Sequence, residues 1–153
     1  MPLSDADASF LGDGNLTFLF ALRPDGSPTG WPMTSEFREG ELTFSTYAKS
    51  LKARVCTQAG IAAALAVRRD AARVVRAVCA EGTVTVRAPE GGGPGARSRA
   101  GLAAVGAMEV PDDIRVRVES AEREGKRVVL ALDVSAGAVW SLDASQDGGH
   151  AEA

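Results

Sequence analysis

The 153-residue sequence is poor in the residues that most often carry catalysis, with one histidine, His150, and two cysteines, Cys56 and Cys79. A single histidine excludes most zinc and iron ligand sets and every histidine-based catalytic triad or dyad. Two cysteines form neither a disulfide framework nor a metal-like spacing. We therefore expect reduced thiols that pack as small apolar side chains rather than act as nucleophiles.

Long apolar runs are also missing. No stretch approaches the roughly 18 apolar residues of a transmembrane helix, and no basic start leads into an apolar segment. We expect no transmembrane span, no signal peptide, no membrane partner and a cytoplasmic location. Hydrophobic residues still make up 45% of the chain, enough for one domain with a real core.

Aromatic side chains amount to only 5% of the sequence, and the net charge of −3 conceals an uneven distribution. Residues 49–99 carry ten basic and three acidic side chains, a local charge of +7. Without aromatic residues interleaved for base stacking, we do not expect a nucleic-acid partner. This segment over 49–99, the basic third of the chain, is either an anion site or the solvated charge of strands and turns.

Alternation of apolar with polar or small residues predicts a series of short strands. They are expected over 16–22, 27–37, 41–46, 61–67, 73–87, 114–118, 128–134 and 139–142, with 73–87 as one long strand or a pair of strands. Pro28 and Pro32 lack a backbone donor, so the second strand should be an edge or be interrupted. A turn is expected over 68–70, and Gly82 is predicted to be a bend or bulge.

The spacing of Leu51 and Val55 predicts a short helix over 50–58, with Ser50 as its N-cap and Gly60 stopping it. A second short helix is expected over 98–108, after a flexible loop over 89–95. The first eight or nine residues and the tail over 144–153 are expected to be disordered. Strands with one or two helices predict a mainly β barrel or sandwich.

The segment from Phe44 to Arg54 passes from a strand into a helix and holds three hydroxyls and three cations. They are Ser45, Thr46, Lys49, Ser50, Lys52 and Arg54. A helix N-terminus offers unpaired N–H groups and partial positive charge, so such a segment suits a phosphate. The alternative is an N-cap followed by a solvated basic helix face.

The order of these features resembles the FMN-binding split-barrel family, the pyridoxamine 5′-phosphate oxidase-like proteins with their deazaflavin (F420)-dependent branch. The most specific match is T-x-x-x-S-x-K at Thr46, Ser50 and Lys52. Supporting matches are Pro24-Asp25-Gly26, Pro32 and Glu81-Gly82. The resemblance covers about residues 10–88 and resumes from Val128 to Trp140.

The resemblance implies a mainly β, six-stranded split barrel with a Greek-key-like meander, occupying 1–143 as one flavin- or deazaflavin-binding domain. It also implies a homodimer with the cofactor in a groove between protomers. The phosphate would lie on Thr46, Ser50 and Lys52, with Ser45, Lys49 and Arg54 as further candidates for the phosphate or tail. The ring would lie near Trp31, Pro32, Met33 and Thr34. Trp140 either lines the ring pocket or plugs the barrel core.

The sequence also departs from the family. Gln58-Ala59-Gly60 stands where members commonly have Asp-Pro, and the basic strand and C-terminal end of true pyridoxamine phosphate oxidases are missing. Pyridoxal phosphate synthesis is therefore not expected. Between FMN and F420 we lean slightly to F420, because the basic third would suit its anionic tail.

The function that the resemblance implies is hydride or electron transfer between bound FMN or F420 and a small organic substrate. No catalytic residue is assigned, since the cofactor carries that chemistry. The alternative is a non-catalytic FMN- or F420-binding or carrier protein of the same fold. The sequence identifies neither the substrate nor the role of residues 89–111.

Overall fold

The computed structural model describes residues 2–71, 73–89 and 125–144, together with 113, 116, 117 and 120. Two helices and eight strands have their bounds in these ranges. The helices are α1 (Asp5–Gly12) and α2 (Leu51–Ala59). The strands are β1 (Leu16–Leu22), β2 (Pro28–Met33), β3 (Glu36–Arg38), β4 (Glu41–Tyr47), β5 (Ile61–Asp70), β6 (Arg73–Arg87), β7 (Arg127–Asp133) and β8 (Val139–Asp143).

The strands form one antiparallel sheet in the order β2-β1-β5-β6-β7-β4-β3, with β8 pairing β6 beside β7. Only Thr34 and Ser35 separate β2 from β3 along the chain, although these strands are the opposite ends of the order. Such a link spans about 11 Å at most, so the two edges must come together. The Ser35 hydroxyl donates to Thr17 Oγ1 at 3.2 Å across this closure. The sheet therefore curls into a barrel.

The inside of the barrel is filled by alternate residues of each strand, as the period of two requires. Leu19 of β1, Ala64 of β5, Val78 of β6, Leu132 of β7 and Phe44 of β4 are all essentially inaccessible to solvent. Small alanines on β5 leave room for the larger leucines and phenylalanines opposite. One continuous core results.

Helix α2 begins and ends where the sequence predicts. Ser50 is its N-cap, with Oγ accepting from Ala53 N at 3.2 Å, and Gly60 closes it at a φ of 68°. A left-handed φ costs glycine little, which is why the chain can turn directly into β5 here. Val55 and Cys56 face the core.

Helix α1 contradicts the predicted disorder of the first residues. Ser4 caps it by accepting from Asp7 N at 3.1 Å, and Phe10 and Leu11 are buried. The Arg76 guanidinium of β6 lies 4.8 Å from the Phe10 ring centroid and donates to the Ala6 carbonyl at 3.0 Å. This contact with the barrel stabilises a helix too short to persist alone.

Strands β6, β7 and β8 meet at Gly82, which pairs with Ala62 in regular register and so is not the bulge that was one of the two predictions. The only register shift between β5 and β6 lies at Arg68 and Arg69. A Cβ on Gly82 would overlap the Asp133 carbonyl, and one on Gly137 would overlap the Glu81 carbonyl. The glycines are needed because the chain between β7 and β8 lies in close contact with the β6 backbone at Glu81 and Gly82.

Three further expectations change. The described residues form eight strands, where the resemblance implies six, and the strand predicted over 27–37 is interrupted into β2 and β3, one of the two outcomes that its prolines predict. The turn predicted over 68–70 is wrong, since β5 continues to Asp70 and Ala71 turns the chain with φ 51°. The strand predicted over 114–118 is wrong at Val116 and Arg117, which are helical.

Other predictions fall outside the part of the chain that the structure describes. These are most of the loop over 89–95, the helix over 98–108 and the tail after Ala144. Among the described residues, no helix is both long and apolar enough to cross a membrane.

Candidate functional site

The junction between β4 and α2 brings two predicted residues together. Thr46, at the inner side of β4, is 4% exposed, and its Oγ1 lies 3.2 Å from Ser50 Oγ. Either hydroxyl can donate to the other, and Ser50 Oγ also accepts from Ala53 N. The first-turn N–H groups of a helix have no intrahelical partner, and here they lie beside these hydroxyls. The junction therefore presents hydrogen-bond donors at one point.

Three cations lie along the same segment. Lys49 and Arg54 are exposed, and Lys52 is half-buried. Within the described ranges none of the three takes part in an ion pair. Unpaired positive charge at a helix N-terminus favours a bound anion.

The rest of the basic third is not one surface. Arg87 forms a two-point ion pair with Glu41, at 2.6 and 3.2 Å, and Arg76 binds α1. Arg68 lies 5.8 Å from the Phe10 ring centroid. Strand β6 separates the two ends of this region by up to about 45 Å. Of the described cations in 49–99, only Lys49, Lys52 and Arg54 gather at the α2 N-terminus.

Ser45 points to the opposite face of β4 from Thr46 and does not join it. Its Oγ accepts from Arg127 Nε at 3.1 Å and from Nη2 at 3.0 Å. The same guanidinium lies 4.8 Å from the Tyr47 ring centroid. Arg127 was missed by the sequence analysis, because only the pairing of β4 with β7 brings it there. A basic residue at the start of a strand is no signal by itself.

Residues 31–34 do not form one contact surface. Trp31 and Met33 pack against the core, whereas Pro32 and Thr34 are exposed. The alternation of β2 forces this division. Only Pro32 and Thr34 present side chains to the outside of the barrel.

Trp140 is 58% exposed, so the expectation that it plugs the core is wrong. It lies on a row that crosses the outer face of the sheet through paired residues. The row is Pro32, Phe18, Leu65, Cys79 and Trp140. Four strand spacings separate its ends by up to about 19 Å. Pro32 and Trp140 thus share a face but not a contact.

A cavity of about 750 Å³ opens at the other end of α2. Its walls come from the end of β1, the following turn, the end of α2 and the start of β5. Phe20, Leu22, Ile61 and Ala63 make it largely apolar, and Glu81 lies at its edge. None of the eleven predicted cofactor residues lines it.

Both cysteines are free thiols of low reactivity. Burial raises the pKa of Cys56 to about 11. Burial and then the neighbouring Glu81 carboxylate raise the pKa of Cys79. Both thiols are therefore protonated near neutral pH, which is how small apolar core residues behave. Among the described residues, no group of three metal-ligating side chains occurs.

No protein-family model matches the sequence, and no curated protein matches it. Solved structures do match. A conserved hypothetical protein from Mycobacterium tuberculosis is 25% identical with a TM-score of 0.69, over 98% of this chain and 91% of the other.

Two further solved structures carry functional names. A candidate pyridoxamine 5′-phosphate oxidase from Lactobacillus delbrueckii is 16% identical, with a TM-score of 0.56 over 91% of this chain and 93% of the other. An F420 reductase is 18% identical, with a TM-score of 0.54 over 85% and 94%. These likenesses concern the course of the backbone. The chain has the split-barrel fold of the pyridoxamine 5′-phosphate oxidase-like proteins.

Proposed function

We propose that the protein binds a phosphate-bearing flavin or deazaflavin, with the phosphate at the N-terminus of α2. The observation that carries this proposal is the junction where the hydroxyls of Thr46 and Ser50 meet, beside Lys52, which forms no ion pair among the described residues. It lies in a fold whose solved examples include a protein named as an F420 reductase.

The donors of the junction fit a phosphate. Thr46 and Ser50 have two hydroxyl hydrogens between them, and their mutual contact uses one. Ser50 Oγ also accepts from Ala53 N, a bond that uses no hydroxyl hydrogen. The second hydroxyl hydrogen therefore stays available to an anion. Lys49, Lys52 and Arg54 add charge-assisted donors.

We further propose a homodimer that holds the ring between protomers. The outer apolar face of the sheet consists of Leu16, Phe18, Phe20, Leu22, Ile61, Leu65, Cys79, Trp140 and Leu142. Several of these large side chains are more than a third exposed, which is unusual for a contiguous patch on a monomer. Because Pro32 and Trp140 lie on opposite sides of this face, one ring would meet both only by taking them from different protomers.

F420 remains the favoured cofactor over FMN. F420 carries an anionic tail beyond its phosphate, and the three cations at the α2 N-terminus, which pair with no described carboxylate, exceed what one phosphate needs. This argument now rests on Lys49, Lys52 and Arg54 alone, since Arg68, Arg76 and Arg87 are engaged elsewhere.

The activity we propose is oxidoreduction of a small organic substrate. The bound flavin would supply hydride or electron transfer, and the chain would bind and orient it. The outer apolar face would exclude water from the ring. Two free thiols fit a reducing, cytoplasmic setting. The second candidate is a non-catalytic carrier of the same cofactor, which uses the same contacts.

Titration of the purified protein with FMN and with F420, followed by absorbance, tests the binding proposal. We expect micromolar binding, and about tenfold or greater weakening in Lys52→Ala, because a charge-assisted hydrogen bond to phosphate is lost. Arg69→Ala is the matched control, since it removes an exposed cation at the far end of β5. Absence of binding by the natural sequence, or equal affinities of the two variants, would contradict the proposal.

Turnover separates the enzyme from the carrier. Reduced cofactor is incubated with the protein and a panel of small electron acceptors, and its oxidation is followed. Oxidation that depends on both protein and acceptor identifies an enzyme. Tight binding with no protein-dependent oxidation identifies a carrier.

A further inference from the structure

The outer apolar face has an opening where a phenylalanine lies between two small residues. Gly30, Phe20 and Ala63 form one row across β2, β1 and β5. A Cβ on Gly30 would overlap the Phe20 ring, so the ring leans away from β5 and across β2. Only a methyl group projects from Ala63, so the cavity at the end of α2 lies open over it, between Phe20 and Ile61.

Phe20 gives this cavity an aromatic wall that is held in place. The Phe18 and Phe20 ring centroids are 6.3 Å apart and their planes differ by 25°, which is an offset-stacked arrangement. Gly30 on one side and Phe18 along the strand thus fix the orientation of the Phe20 ring. The Phe20 side chain is still 37% exposed, so it presents aromatic surface at the edge of the cavity.

The size and lining of the cavity suit a planar ring system. Its volume of about 750 Å³ lies within the range of ligand pockets, which runs from roughly 300 to 1,000 Å³. Leu22 and Ile61 line it and are more than half exposed. Both belong to the outer apolar face that is proposed to lie between protomers, so a second copy would close the cavity over the molecule that it holds.

The cavity is also within reach of the phosphate junction. Gln58 and Ala59 at the end of α2 line the cavity, and Ser50 caps the start of the same helix. The nine residues of α2 rise by about 12 Å between these points. FMN and F420 both carry a ribityl chain between phosphate and ring, and the chain and ring together are longer than this rise. One molecule can therefore have its phosphate at Ser50 and its ring over Ala63.

We propose that the ring of the bound flavin or deazaflavin lies over Ala63 and against Phe20, and that Gly30 is a positioning residue that acts through Phe20. This inference rests on the proposed function. It assigns the ring to residues outside the set that the sequence predicted, because Trp31 and Met33 face the core. A side chain larger than alanine at position 63 would occupy the place of the ring, and a side chain at position 30 would displace Phe20.

Three ligands separate the ring site from the phosphate site. The affinities of the full chain for FMN, F420 and riboflavin, which has the ring but no phosphate, are measured by calorimetric titration. Ala63→Leu should weaken the binding of all three at least about tenfold, because the added side chain takes the space of the ring. Lys52→Ala should weaken FMN and F420 but leave riboflavin unchanged. Ala6→Leu is the matched control, since it adds the same volume to an exposed position of α1 and should change no affinity.

A double-mutant cycle tests the role of Gly30. Phe20→Leu keeps an apolar side chain but removes the aromatic wall, and it should weaken the binding of all three ligands about three- to tenfold. Gly30→Ala should weaken binding about threefold or more in the natural sequence, because Phe20 must move, and by less in the Phe20→Leu background. Light scattering accompanies every variant, and the proposed dimer should persist in each.

Different results contradict the ring site and the proposed function. If the natural sequence binds neither FMN nor F420, the proposed function itself is wrong. If Lys52→Ala weakens both cofactors while Ala63→Leu does not, the phosphate site stands and the ring lies elsewhere. Equal effects of Gly30→Ala with and without Phe20 would remove Gly30 from the ring site. Conversion of Ala63→Leu to a monomer would mean that the second copy, and not the ring, fills the cavity.

Discussion

The inner and outer faces of β1, β5 and β6 differ although the same strands form both. Leu19 on the inner face is 1% exposed, whereas Leu22 on the outer face is 57% exposed. On β5 the inner residues are the buried alanines Ala62, Ala64 and Ala66, while Ile61 and Leu65 lie outside. The larger aliphatic side chains of β5 are thus on the more exposed face.

This difference separates stability from recognition. The inner face is closed by tight packing, so substitutions there change the free energy of unfolding. The outer apolar face has little to pack against within the described chain, so substitutions there should change what the protein binds. The predictions below test that division, from the largest expected effect to the smallest.

Leu19→Ala should destabilise the fold by about 3–5 kcal/mol, because the barrel around a buried leucine cannot collapse into the vacated space. Leu22→Ala removes the same atoms from the outer face and should cost less than about 0.5 kcal/mol. Urea unfolding of both variants measures the contrast. Similar losses in the two would mean that the faces do not divide as described.

Trp140→Ala should shift the proposed dimer toward monomer without unfolding the chain. A large aromatic side chain that is buried in an interface contributes about 2 kcal/mol when it is a hot spot, which is roughly a thirtyfold change in the dissociation constant. Light scattering over a concentration series measures the shift. The matched control is Val86→Ala, which trims an exposed apolar residue on the opposite face of β6 from Cys79. A monomeric natural sequence at working concentration would refute the dimer and the shared groove.

Cys56→Ala should make the free energy of unfolding less dependent on pH in the alkaline range. The thiol ionises near pH 9 in the unfolded chain but only near pH 11 when folded, so its contribution is complete below pH 9 and is lost as pH rises toward 11. The natural sequence should therefore lose about 1 kcal/mol between pH 8 and 10 that Cys56→Ala does not lose. Unfolding at both pH values checks this.

Cys79→Ala extends the comparison to the outer face. Burial and then Glu81 raise the pKa of Cys79 as well, so the stability that its thiol contributes is also lost as the pH rises. Because Cys79 is only half-buried, Cys79→Ala should flatten the profile less than Cys56→Ala does. An equal or larger effect of Cys79→Ala would show that the outer face is covered in solution.

The sequence by itself determined the local elements around the candidate site. The alternation of β1 and β4, the Ser50 cap and the Gly60 stop depend on residues within a few positions of one another, and all were predicted. Thr46 and Ser50 meet because they are four residues apart across one cap. The N-terminal helix was missed, although Ser4 with Asp7 resembles a helix-starting pair.

Only the tertiary structure decided which face of each strand is buried and which distant residues meet. Arg127 reaches Ser45 across 82 positions of sequence through the pairing of β4 with β7. Trp140 could have filled the core until the pairing of β8 with β6 placed it outside. The physical reason is that strand periodicity identifies two faces but not the inner one. The closure of the barrel makes that choice through contacts between residues far apart in the chain.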